Sequence, residues 1–553
     1  MLKRLTHFLQ REASHQPSAP PPDEYDAQLE PAIAAIRQGR GDTAITCLEA
    51  LLNAHPGNAR AHLLLGTCRH ERREIDDARD NYLIAATLEP TWATPHFHLG
   101  VLSADIGRHA EAAAAFLRAL EIGPPEARVY HALGAAYRQG GDSVAAVEQF
   151  RKALALAPDF AQAHSNLGLV LLRDLEQYDE GQQHIERAMA LAPADPAVLC
   201  NQMMVLQHRG RRDEALTLAD TVLARAPALV EARVNRALIL LGKGDYSSAW
   251  DAYEARRLLD GGDYATGLPC PEWQGERLEG RSILVYPEQG LGDEIMFASC
   301  IPDLVARGGR CTLECHPKLE RIFRRSFPGV EVLSKNARRE APQGDQRAWD
   351  FQVPIGSLPR FMRRTRAEFP AHAGYLCPDP SRVAYWRSRL SGLPGVLKIG
   401  LSWRGGLAST RRSLRSIPLD LWRPVLALPG IDFLSLQYSD SEGELEGLRT
   451  HGDRVPHHWA EALDDYDETA ALVSALDLVI SVQTAVVHLA GALGQEVWVL
   501  TPEVPEWRYD GDGDSMAWYP AVRLLRQAQR GVWTDVLERV RSDLAARTSG
   551  HLK

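Results

Sequence analysis

Asp293 closes the stretch PEQGLGD (287–293), which follows the apolar run SILVY (282–286) and leads into a helical stretch from 294 toward 304. At the first turn of a helix the backbone dipole favours an ionised carboxylate, so Asp293 is placed to accept a proton as a general base. The same position also suits an ordinary N-terminal cap. Gly290 and Gly292 permit a tight turn and a close backbone approach, and the amides at the helix start behind them suit an anionic ligand. A second such start lies in ISVQTAVVHLAGALG (480–494), where Thr484 caps a helix over 485–493 and Gly494 ends it in the left-handed conformation. Ala485 opens that helix, and His488 lies one turn after Thr484, on the same face, where it either contacts a ligand or packs. The basic stretch WRGGLASTRRSLR (403–415) supplies Arg404, Arg411, Arg412 and Arg415, which either neutralise a diphosphate or form a solvated loop.

These groups need a scaffold, and composition bounds what it is. The chain has 553 residues, enough for about three folding units. Hydrophobic residues at 45 % and charged residues at 24 % are ordinary globular usage, which argues against disorder and against a disulfide mini-scaffold. A net charge of -10 gives no electrostatic pull toward nucleic acid, so none is expected as a partner. Eight dispersed cysteines suggest a reducing compartment. Cys311, Cys315 and His316 cluster, but CTLEC (311–315) reads as a strand with one buried face, not as a zinc site, and no metal is expected. With no run near the roughly 18 apolar residues of a membrane span and no secretory apolar core at the start, a cytoplasmic chain without a transmembrane segment is expected.

The first half repeats every 34 residues. Gly66, Gly100, Gly134 and Gly168 keep that spacing, each after a leucine; Ala44, Ala78, Ala112 and Ala146 do the same. Ala215 and Ala249 resume the series after a one-residue insertion near Gly181, and Pro56, Pro90, Pro124, Pro158, Pro193 and Pro227 close the units. Small residues let antiparallel helices approach, and proline stops the second helix of each pair. The pattern resembles the tetratricopeptide repeat family over 28–258, implying roughly seven helix pairs whose groove binds a protein partner. Residues 1–27, rich in proline and small polar residues, read as a flexible leader, and 259–280 as a linker carrying Gly261, Gly262 and Pro271.

Beyond the linker, strand-like runs alternate with helical segments, the pattern of parallel sheets. Strands are expected at 282–286, 398–403, 433–437, 478–482 and 497–500, in lobes spanning 281–390 and 396–545 with a linker around 375–396. Ligands of such sheets sit beyond the strands' carboxyl ends, so the loops named above should face one cleft.

Together the segments resemble the heptosyltransferases of glycosyltransferase family 9 over about 272–540. The matching pieces are Gly292 with Asp293, RSIP (415–418), the Thr-x-x-x-His-Leu-Ala helix from Thr484, and PEWR (505–508). The long form looks like bacterial proteins that join tetratricopeptide repeats to this transferase. The resemblance implies a two-lobed GT-B fold with two Rossmann-like lobes, the acceptor on the first and a nucleotide sugar, as donor substrate, on the second. It makes Asp293 the catalytic base of an inverting, metal-independent transfer, with Arg415 and the helix from Thr484 holding the nucleotide phosphates, and Gln437 and Thr469 in loops bordering the nucleotide. Gln483 stands where the family carries aspartate, so the donor is not assumed to be ADP-heptose. Fusion to a repeat array points to a protein acceptor, flagellin or another surface protein. The alternatives are transfer to lipopolysaccharide or another glycan, and a non-catalytic repeat scaffold with a degenerate transferase fold.

Overall fold

The 34-residue glycine series marks places where a ring must fit. In the computed structural model, which describes residues 26–259, 268–335, 349–406, 412–438 and 441–551, a Cβ on Gly66 would lie 2.8 Å from the Tyr82 ring. One on Gly100 would lie 2.6 Å from Phe116, and one on Gly134 would lie 2.9 Å from Phe150. Each glycine sits in the first helix of a pair and each ring in the second, so the absent side chain sets how closely the two pack. The leader up to residue 25, Gly261, Gly262 and Arg411 lie outside the described residues.

Among the described residues fourteen helices form seven pairs, α1 (Glu30–Arg37) with α2 (Gly41–Ala54), then α3 (Ala59–Glu71), α4 (Ile75–Leu88), α5 (Ala93–Asp105), α6 (His109–Ile122), α7 (Ala127–Gln139), α8 (Ser143–Leu156), α9 (Ala161–Arg173), α10 (Tyr178–Leu191), α11 (Pro196–His208), α12 (Arg212–Arg225), α13 (Val230–Gly242) and α14 (Tyr246–Tyr253). The alanine series is fully buried at Ala44, Ala78, Ala112, Ala146, Ala215 and Ala249. Each proline of its series stands two residues past the end of a second helix, where its missing N–H breaks no helical bond. The extra residue falls in the turn 174–177, where Glu176 has φ +57°. The ring at the glycine is lost there: a Cβ on Gly168 would instead meet the Gly181 carbonyl at 2.5 Å, so two glycines let α9 and α10 touch backbone to backbone.

The chain divides into two compact units, 1–201 and 202–553. The second therefore includes α12, α13 and α14, followed by a single-turn helix (Glu254–Leu258) and two parallel sheets. The first sheet has the order β3-β2-β1-β4, with β1 (Ser282–Tyr286), β2 (Arg310–Cys315), β3 (Glu331–Ser334) and β4 (Phe351–Pro354). The second has the order β6-β5-β7-β8-β9, with β5 (Leu397–Ser402), β6 (Ile431–Ser435), β7 (Leu478–Val482), β8 (Val497–Thr501) and β9 (Val522–Arg526). In-register pairs such as Ile283 with Cys311 and Ile399 with Leu478 bring the carboxyl ends of neighbouring strands to one edge of each sheet. β5, β7 and β8 are buried along their whole length, as expected where crossover helices cover both faces.

Four expectations are corrected. Cys311 to Cys315 is buried throughout, because β2 is an inner strand of a parallel sheet covered on both faces, not on one. The helix expected from 294 starts earlier as α15 (Leu291–Ala298) and breaks before α16 (Ile301–Val305), where Pro302 can only open a new turn. Most of the segment read as a linker at 375–396 is a helix, α17 (Pro380–Ser391), which Asp379 caps and whose Trp386 is fully buried. The strand expected at 433–437 ends at Ser435 and leaves Gln437 in the following turn.

Packing at the periodic glycines predicts opposite outcomes for two substitutions. Gly134→Ala should lower stability by about 1–3 kcal/mol through overpacking against the buried Phe150 ring, outweighing alanine's better helix propensity. Gly41→Ala, with nothing within 4 Å, should be neutral or stabilising by up to about 1 kcal/mol. Urea unfolding midpoints of the two variants check both signs.

Candidate functional site

Two helix starts from different sheets meet. α15 leaves β1 through the loop 287–290, while α18 (Ala485–Ala492) leaves β7 through Gln483 and Thr484. A Cβ on Gly292 would lie 3.0 Å from His488 Cδ2 and 3.5 Å from Ala485 Cα, so the glycine is what lets the first turn of α15 rest on α18. At the far end of α18, Gly494 has φ +75°, and a Cβ there would lie 1.9 Å from the Ala373 carbonyl. Only glycine therefore allows the segment whose Tyr375 and Leu376 amides donate to the Ala492 carbonyl, at 2.7 and 2.9 Å.

Asp293 sits in the first turn of α15 and meets Arg508, which follows β8. Arg508 Nε and Nη2 each lie 2.6 Å from Asp293 Oδ1. The same guanidinium reaches Glu506 at 3.2 Å and lies 4.7 Å from the centre of the Trp507 ring. Glu506 also pairs with Arg415 at 3.3 Å, and Arg415 Nη1 donates to the Gln483 carbonyl at 2.8 Å. Asp293, Arg508, Glu506 and Arg415 thus alternate in charge, with side chains only 10 to 18 % exposed. Burial works against the Arg508 charge, but Asp293 and then Glu506 outweigh it and hold the group ionised. Burial, followed by the nearby Arg508 charge, pushes His488 down to about 3, so it is neutral and shares a 3.2 Å hydrogen bond with the Tyr519 hydroxyl.

The basic stretch is stapled by Gln437, which is 1 % exposed. The Arg404 amide donates to Gln437 Oε1 at 3.1 Å, and Gln437 Nε2 donates to the Arg404 carbonyl at 3.4 Å. Arg404 itself pairs with Glu444 at 3.3 Å. A Cβ on Gly405 would lie 2.8 Å from Arg415 Cγ, so the bare backbone there gives the Arg415 side chain its path. Arg412 contributes a carbonyl, which accepts from the Ser416 hydroxyl at 2.6 Å.

Three readings change. Thr469 is not in a loop: it lies inside a helix (Tyr466–Val473), and its hydroxyl donates to the Ala462 carbonyl at 2.6 Å, so it holds the fold. The Thr484 hydroxyl lies 3.1 Å from Ser481 Oγ and caps nothing, leaving the first amides of α18 without a side-chain partner. Gln483 is 1 % exposed and its Nε2 makes no hydrogen bond, a donor whose isolation costs about 1–3 kcal/mol. Sequence reasoning missed Glu506 and Arg508 as site residues; the signal was the acidic-aromatic-basic order of PEWR after a strand. Among the described residues no group of three or more His, Cys, Asp or Glu side chains is arranged to hold a metal ion. Burial pushes the Cys311 thiol up to about 12, which keeps it protonated and inert.

Beside Asp293, Glu294 is buried and its carboxylate accepts from the His316 amide at 2.9 Å. Burial raises its pKa from 4.5 to about 7, against the His316 bond and Lys335 and with Asp293 and Glu314.

Tetratricopeptide repeat models match 29–93, 93–127 and 204–263, and a TPR repeat model matches 134–174. Protein FlbA of Caulobacter vibrioides is 34 % identical over 382 residues, 65 % of this chain. The match spans 63 % of that relative's length. Among solved structures, MamA is 25 % identical and covers 29 % of this chain and 94 % of its own, with a TM-score of 0.28. Pseudomonas aeruginosa PilF is 20 % identical over 38 % of this chain and 94 % of its own, with a TM-score of 0.34. A tetratricopeptide repeat protein from Parabacteroides merdae is 17 % identical over 44 % and 94 %, with a TM-score of 0.38. Among the described residues no helix is long and apolar enough to cross a membrane.

The raised Glu294 sets a pH dependence. Between pH 4.5 and about 7 the folded chain keeps a proton that the unfolded chain releases, so stability falls as pH rises through that window. Glu294→Gln should remove this slope, worth on the order of 3 kcal/mol at pH 8 relative to pH 4. Unfolding midpoints of wild type and variant at the two pH values check it. The N-terminal part of the chain carries tetratricopeptide repeats, a module that binds protein partners.

Proposed function

We propose that the protein is a glycosyltransferase of GT-B type that moves a sugar from a nucleotide sugar to a protein acceptor recruited by the repeats. One observation carries the reading: the Asp293 carboxylate, on a helix leaving the first sheet whose preceding Gly292 rests on the start of α18, is met by an arginine of the second sheet, Arg508. A base next to arginine side chains and a helix start is what in-line displacement of a diphosphate needs.

Arg508 occupies Oδ1, so Oδ2 is the oxygen that takes the proton of the acceptor hydroxyl. The hydroxyl oxygen then bonds to the anomeric carbon from the face opposite the diphosphate, whose bond to that carbon breaks with its electron pair, and the configuration inverts. Arg415 and the first amides of α18 neutralise the departing nucleoside diphosphate, and the acceptor proton ends on Asp293. Gly290 supports the same geometry. Its φ of -98° and ψ of 167° suit any residue, and the nearest atom to a Cβ there is Asp293 Oδ2 at 3.9 Å. Neither backbone nor packing requires glycine, so the space it leaves beside Oδ2 is room for the acceptor.

A second reading is a non-catalytic scaffold, favoured by Gln483 standing where the resembling family has aspartate.

Asp293→Asn should lower sugar transfer by about 10²–10⁴-fold while nucleotide binding persists. The check is intact mass of the cell's surface proteins, flagellin among them, from strains carrying wild type, the deletion or Asp293→Asn. Sugar-sized increments lost in both mutants support transfer to protein, and unchanged masses move the reading to a glycan acceptor or a scaffold. Gly290→Ala should leave the melting temperature unchanged and reduce transfer at least about tenfold by crowding the acceptor; full activity would show that glycine leaves no functional space.

A further inference from the structure

The loop that aims Asp293 is held by the last repeat pair. α14 ends at Tyr253, and Gln289 Nε2 donates to the Tyr253 hydroxyl at 2.7 Å while that hydroxyl reaches Gln289 Oε1 at 3.2 Å. Three residues on, Arg256 forks onto Glu288, Nη2 to Oε1 at 2.5 Å and Nε to Oε2 at 3.1 Å. Its remaining donors go to Glu254 at 2.9 Å, to the Tyr253 carbonyl at 3.1 Å and to Ser357 Oγ at 3.0 Å. Arg256 and Glu288 are 3 and 6 % exposed, and the guanidinium lies 4.4 Å from the centre of the Tyr253 ring. A Cβ on Gly356 would lie 2.0 Å from Glu288 Oε1, so a larger residue there would displace the Glu288 carboxylate from its place against Arg256.

The bonds of Tyr253 and the fork of Arg256 converge on two neighbouring loop residues, Glu288 and Gln289. Gln289 has φ +63°, a left-handed conformation that a non-glycine side chain keeps only where its surroundings over-determine it, at about 1–3 kcal/mol. Gly290 follows as the cap of α15, so the dihedrals at Gln289 set the direction in which the helix, and Asp293 with it, leaves the sheet. A buried charge pair adds little net stability, but it punishes every arrangement that separates its members.

We propose that Tyr253, Arg256 and Gln289 are positioning residues: the final repeat pair locks the loop 287–290 in the conformation that presents Asp293 to the reacting hydroxyl. The last repeats are then a working part of the catalytic centre, not a detachable recruiting arm. This rests on the reading of Asp293 as the base.

The test uses the full chain with Tyr253→Phe, Gln289→Gly and Arg256→Lys. Phenylalanine removes only the hydroxyl and keeps the ring under Arg256. Glycine keeps the left-handed backbone without strain and removes the side chain. Lysine keeps the charge but cannot make the two parallel bonds to Glu288, and should it fail to fold the other two variants decide. Hydrogen exchange should quicken at least tenfold at the amides of 288–293 in each folded variant, with exchange elsewhere unchanged. Loop exchange equal to wild type overturns the proposal. Transfer should fall at least tenfold in kcat, with the Kd for UDP, GDP, ADP or dTDP, measured by calorimetry, unchanged; a looser loop with wild-type kcat overturns it too. A wild type that binds none of these nucleotides and transfers no sugar overturns the transferase reading and the catalytic half of the proposal, while the exchange data still decide whether the repeats lock the loop.

Discussion

The candidate site depends on one ion pair between residues 215 positions apart, Asp293 and Arg508. A carboxylate 14 % exposed and a guanidinium 18 % exposed are each expensive to shield from water alone. Paired, they require the helix leaving β1 and the turn following β8 to be in place together. Glu506 and Arg415 continue the alternation to the carbonyl at the end of β7, so three strand ends are tied by charge. The two carboxylates offset the mutual repulsion of the two arginines and hold both close to the helix start.

Close approach is the second recurring device. In the repeats, glycine faces a ring or another glycine so that paired helices pack tightly; in the site, Gly292 lets two helix starts touch and Gly405 lets Arg415 cross the backbone. The repeat positions recur every 34 residues because each pair solves the same packing problem. Those of the site occur once, because the site is built once.

The sheets were legible only in part, for β3, β4 and β9 answer to no strand expected from the sequence. β1 and β7 fall where apolar runs predict them, since parallel strands buried on both faces are mostly apolar. Less was legible at the site. The turn holding Asp293 and the helix after Thr484 follow from local spacing, but the fate of each polar side chain did not. Thr469 was spent on the Ala462 carbonyl, Gln437 on both backbone groups of Arg404, and the Thr484 hydroxyl on Ser481.

By itself, then, the amino-acid order determined the repeat period, strands such as β1 and β7, the helix after Thr484 and the stops at proline and Gly494, because these obey rules acting over a few residues or one repeat. Tertiary structure alone decided that Arg508 faces Asp293, that Arg256 at the end of the repeats grips Glu288, and that Gln289 is bent left-handed beneath Tyr253. The physical reason is that a charge or hydroxyl carries no local mark of its partner: with 62 basic and 72 acidic residues in the chain, only the strand order and the helices between them choose which pairs meet.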